Sequence, residues 1–159
     1  MPSSSYFGIL RLAALTAVLS LTFSPPTLAQ LVPFGPTHKV AIHVDDNDPR
    51  VMNLALNNAK NVLEYYKAKG ETVAIEIVTY GPGLHMLRAD TSPVKQRIAE
   101  MSMTPEISFA ACGNTRANMA KQEGNEVSLV SEARTVPSGV VRLIELQKQG
   151  YAYIRPSGR

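Results

Sequence analysis

"HKVAIHVDDNDPRVMNLALNNAKNVLEYYKAKGETVAIEIVTY", residues 38–80, decides the fold. His38–Val44 alternates in character and is rich in β-branched side chains, the pattern of a strand. The acidic turn that follows leads into Pro49, so Asp48 is the expected N-cap and Pro49 the first helical residue. Met52, Leu56, Ala59, Leu63 and Tyr66 then recur on one stripe at the helical period, and Gly70 closes the helix after about Lys69. Asn53, Asn57 and Asn61 form a second row on the other side, either a solvated face or, through Asn53, part of a site or subunit contact. Thr72–Tyr80 is the clearest strand of the chain, and the helical stripe needs a sheet to cover.

The same alternation continues downstream. Gly81-Pro82-Gly83 breaks the second strand as a loop, Leu84–Arg88 is a short helical piece, and Ser92-Pro93 opens a helix carrying Val94, Ile98 and Met101. Thr104-Pro105 stops it, and Glu106–Cys112 is a third strand. Asn114 or Thr115 caps a helix running to about Lys121, and Glu126–Val130 is expected as a fourth strand. Pro137-Ser138 opens a last helix with Val140, Val141, Ile144 and Leu146, ending at Gly150 before a final strand within residues 151–156. Strands alternating with helices imply a three-layer α/β/α domain, over residues 38–156, on a mainly parallel five-stranded sheet.

Upstream, residues 1–29 carry Arg11, an apolar run from Leu12 to Leu19 too short to span a bilayer, a Pro25-Pro26 break and Ala29 before the expected cut, the order of a secretory signal peptide. Residues 30–37 are a flexible lead-in. Losing Arg11 from the 16 Lys and Arg leaves 15 against 13 Asp and Glu, with no basic cluster, so neither nucleic acid nor an acidic membrane surface is an expected partner. An exported chain enters an oxidising compartment, where the single cysteine, Cys112, has no internal partner. It is buried and inert, paired with another molecule, or a free reactive thiol.

In an α/β sheet ligands bind at the carboxyl ends of the strands. That places Asp45–Asn47, Tyr80–Gly83, Cys112–Thr115 and Ser131–Arg134 around the expected site. A helix starting at Asn114 or Thr115 would direct its free N–H groups at Cys112, with Arg116 a nearby cation if it turns inward and Gly113 leaving the sulfur open to a partner. Asn53, Gly81, Gly83, His85, Gly113, Asn114 and Arg116 are the candidate pocket residues around Cys112. His85 is a candidate base for the thiol or a solvated loop residue. His38 and His43 lie five apart on one strand and face opposite sides, so they share no metal. The chain has no G-x-G-x-x-G, P-loop, G-x-S-x-G or C-x-x-C motif, so no cofactor is expected.

The segments "DDNDP", "NLALNNAKNV", "IEIVTYGPGLHML", "ACGNT" and "VPSGVVRLIELQKQGYAYIRP", in this order, resemble the DsrE/DsrF-like family of small α/β sulfur-relay proteins, in its exported stand-alone subgroup. The resemblance implies that Cys112, after a central strand, carries a persulfide and passes sulfur to an acceptor protein. It also implies a homo-oligomer, trimer or hexamer, here in the periplasm, with Tyr151 and Tyr153 or the asparagine row at a subunit contact. The alternative is a non-catalytic ligand-binding or structural oligomeric module in which Cys112 only lines the pocket.

Overall fold

The structure, a computed structural model, describes residues 38–158. The expected signal peptide and lead-in lie outside the described residues. Five strands and their helices follow in strict alternation: β1 (His38–Val44), α1 (Pro49–Ala68), β2 (Val73–Thr79), a 3-10 helix (Gly81–Leu87), α2 (Lys95–Ser102), β3 (Ile107–Cys112), α3 (Gly113–Glu123), β4 (Ala133–Val136), α4 (Gly139–Lys148) and β5 (Ala152–Ile154). The sheet runs β4-β3-β2-β1-β5 with every pair parallel, so the domain is a three-layer α/β/α fold.

Local chemistry explains the first unit. The Asp48 side chain accepts from the Arg50 N–H at 2.8 Å and caps α1, and Pro49 occupies the first turn where no donor is lost. The stripe on α1 buries Met52, Leu56 and Ala59 completely against Ile42, Ile75, Ile77 and Phe109 of the sheet. Each large apolar side chain so buried contributes about 1.5–3 kcal/mol before chain entropy is charged against it. The 3-10 helix adds Leu84, Met86 and Leu87 to this front layer, α2 adds Ile98, and Met119 of α3 packs on its margin.

The back of the sheet is covered differently. Ala41, Val78, Ala110 and Val136 face Leu143 and Leu146 of α4, with Tyr80 and Tyr151 at the edges. Small Ala41 and Ala110 side chains let the helix lie close. The layers follow from chain direction. From β1 to β4 each connection steps to the next strand with its helix in front; from β4 to β5 the chain returns across the sheet, and a right-handed crossover then puts α4 behind.

Several expectations are corrected. Glu126–Val130 is no strand: only Leu129 pairs, antiparallel and as an isolated bridge to Arg88, and the fourth strand is Ala133–Val136, registered on Phe109–Cys112. An edge strand of four residues, half of it exposed, has too little apolar alternation to stand out. The loop at its carboxyl end is therefore Pro137-Ser138 rather than Ser131–Arg134. Gly81-Pro82-Gly83 is the first turn of the 3-10 helix, not a loop before it, because Pro82 presets a helical φ. α2 starts at Lys95, after Ser92 has spent its hydroxyl on the Met86 carbonyl. On α4 only Leu146 of the four expected apolar residues is buried; Val140, Val141 and Ile144 stay about half exposed.

Candidate functional site

β3 and β4 are neighbours, yet the helices that leave them go to opposite faces, α3 to the front and α4 to the back. Such a topological switch at the strand ends is the usual ligand position of α/β sheets. Cys112 ends β3 at that switch, where α4 covers it.

Cys112 is itself the N-cap of α3, not Asn114 or Thr115: residues 113–115 are already helical, and the sulfur accepts from the Thr115 N–H at 3.4 Å. The first turn of α4 arrives from the other side. A Cβ on Gly139 would lie 2.9 Å from Tyr80 Cβ and 3.2 Å from Cys112 Cβ, so this approach requires glycine. Burial pushes the thiol pKa up, but the Thr115 hydroxyl and the N–H groups of Gly139, Thr115 and Asn114 outweigh it and hold the thiol below its ordinary value. Two helix N-termini thus converge on one sulfur that is only 4% exposed.

Beyond Tyr80 the back face carries a second polar group. His43 is 3% exposed and stacks on Tyr80 at 4.4 Å between centroids. Its Nδ1 shares a hydrogen bond with the Tyr153 hydroxyl at 2.8 Å, while Nε2 is buried with no hydrogen-bond partner, 3.8 Å from Asp45 Oδ2. Arg155 holds that carboxylate through Nε at 3.0 Å and Nη2 at 2.9 Å. Burial is the main reason the His43 pKa is lowered, with Asp45 opposing and Arg155 assisting, so the ring is neutral at neutral pH. His38 faces the other side of β1, stacked on Tyr66 of α1.

The structure separates most of the predicted pocket from the thiol. Asn53 donates to the Pro49 carbonyl at 2.8 Å and accepts from Arg97, which also reaches Asn57 at 2.8 Å, so these two asparagines of the row dock α2 against α1. Gly83 is a packing residue: a Cβ there would sit 2.2 Å from the Val44 carbonyl oxygen. Gly113 does not open a path to the sulfur either, because its vacant Cβ position faces Val136 O at 3.2 Å and Thr135 Cγ2 at 3.3 Å. Asn114 is exposed, and its N–H also points to the Pro137 carbonyl at 3.2 Å. Arg116 turns away, donating to the Val127 carbonyl and to Glu126, both at 2.7 Å. Gly81 and His85 do line a cavity, of about 360 Å³, with Asn47, Pro82, Thr115, Asn118, Met119 and Gln122; Cys112 is not among its walls. Thr115 links the two places, since its Oγ1 accepts from the Gly81 N–H at 3.0 Å and its hydroxyl serves the thiol.

A solved structure from Methanobacterium thermoautotrophicum, the protein of unknown function MTH1491, is 32% identical to this chain, covers 75% of it and 99% of its own length, and superposes with a TM-score of 0.63. The chain belongs to the family of MTH1491. No family model and no curated protein matches it. Kinship with MTH1491 carries the fold and no activity, so the chemistry rests on the residues above. The sequence reading placed Tyr80 at the strand ends but missed Gly139 and the place of His43 beside Tyr80; the small residue after Pro137-Ser138 was the available signal for a helix start pressed against a neighbour.

Proposed function

We propose that this protein is an exported sulfur carrier that holds sulfane sulfur on Cys112. The observation that supports it is the position of Sγ where α3 and α4 both present N–H groups, with the Thr115 hydroxyl beside them. Those donors favour the thiolate, the form that attacks. In the proposed step Cys112 thiolate attacks the outer sulfur of a donor R–S–S–H. The Sγ–S bond forms, the donor's S–S bond breaks, and R–S⁻ leaves and is protonated by water, with no net oxidation. Resemblance to the DsrE/DsrF-like sulfur relays points the same way, and delivery to an acceptor protein reverses the step. Because Cys112 is nearly covered, Tyr80 and the first turn of α4 must shift for the donor to reach it.

A periplasmic working compartment is part of this reading and is supported by the signal-peptide order of residues 1–29. Self-association is supported by Val140, Val141, Ile144 and Tyr153, apolar side chains exposed by 44–51%. Incubating the protein with a low-molecular-weight polysulfide and weighing it intact tests the reading. The wild type should gain the mass of one sulfur atom, reversibly with a thiol reductant, and Cys112→Ser should gain none. No gain on the wild type, or the same gain on the serine variant, would overturn it.

A further inference from the structure

The cavity beside Thr115 has chemistry of its own. One wall is a stripe of α3 at helical spacing, Thr115, Asn118, Met119 and Gln122; the other is Gly81, Pro82 and His85 of the 3-10 helix, with Asn47 at the side. Asn47, Asn118 and Gln122 make no side-chain hydrogen bond to any described residue, nor does His85. Three carboxamides therefore offer paired donors and acceptors to one space, while Pro82 and Met119 supply apolar surface. No carboxylate, ammonium or guanidinium is among its lining residues, and His85 is the one titratable group there. Its volume, about 360 Å³, falls at the small end of ligand sites.

We infer that this cavity binds a small, uncharged, planar nitrogen heterocycle whose edge carries an adjacent donor and acceptor. A carboxamide of Asn or Gln matches such an edge in a bidentate pair, and the ring face rests on Pro82 and Met119. The site is separate from the thiol and does not rest on the sulfur-carrier reading.

Adenine is the probe, with benzoate as a flat ring of formal charge, both titrated into the ¹⁵N-labelled protein and followed by NMR. Adenine should shift the side-chain amide signals of Asn47, Asn118 and Gln122 saturably, equally well in wild type and Cys112→Ser. Asn118→Leu with Gln122→Leu, both on exposed positions of α3, should keep the melting temperature and weaken adenine binding by at least about tenfold. Gln122→Glu, which keeps the shape and adds a charge, should weaken it in the same direction and stands in should the leucine pair fail to fold. Benzoate should bind at least about tenfold more weakly than adenine. Absence of saturable shifts with adenine, unchanged binding in the variants, or benzoate binding as tightly would overturn the assignment.

Discussion

Cys112 is activated by dipoles rather than by charge. No arginine or lysine is among the groups that lower its pKa; the donors are a hydroxyl and backbone N–H groups of two helix starts. Thr115→Val keeps the N–H and removes the hydroxyl, so the thiol pKa should rise and iodoacetamide alkylation near neutral pH should slow several-fold, while Thr115→Ser should behave as wild type. Gly139→Ala would drive a methyl into Tyr80 and Cys112, so α4 should retreat. A loss of about 1–3 kcal/mol in urea unfolding and a higher thiol pKa are expected together. At this scale the sequence was half legible. Strand-to-helix order put Cys112 at the carboxyl edge of the sheet, but whether Arg116 turns in or out depends on a carbonyl, Val127, eleven residues further on, which no local pattern encodes. Gly113 was misjudged for the same reason: its crowding comes from β4, the strand whose position was missed.

Among the elements, α4 carries the back layer alone and is fastened at mid-sheet. Glu76, 4% exposed on β2, receives Arg142 through Nε and Nη2, each at 2.8 Å, and Arg134 of β4 as well. Burial pushes its carboxyl pKa up, yet Arg142 and then Arg134 reverse this and leave it below the ordinary 4.5. A carboxyl depressed in the folded state stabilises fully above its unfolded pKa and loses that contribution as pH falls toward the folded one. Urea midpoints should therefore decline below about pH 4.5, and Glu76→Ala should flatten that decline. At neutral pH the same variant should cost about 2 kcal/mol, less than the ~3–5 for a fully buried pair because both guanidinium groups reach solvent. The long apolar strands and the capped α1 were readable because propensity, period and burial agree there. β4 was not: its "ARTV" is placed by Arg134 reaching Glu76 and by pairing with β3, both decided in three dimensions.

At the scale of the domain, among the described residues, four helical segments crowd the front of the sheet and one covers the back. The outward side of that one helix is where Val140, Val141 and Ile144 lie exposed. If they mediate self-association, sedimentation should find the wild type larger than a monomer, and Val141→Glu with Ile144→Glu should sediment as a folded monomer; a monomeric wild type would refute the proposed assembly. The crossover that brings α4 over the back also divides the donors around the sulfur by their distance along the chain. Thr115 and Asn114 follow Cys112 at once along the chain, whereas Gly139 lies beyond β4 and reaches the sulfur only across the sheet. Three of the four contacts that favour the thiolate, the Thr115 hydroxyl and the N–H groups of Thr115 and Asn114, are therefore local, and the fourth depends on α4 lying against the sheet. Loosening α4 would thus take away one donor together with part of the burial that opposes ionisation, two effects of opposite sign on the same sulfur.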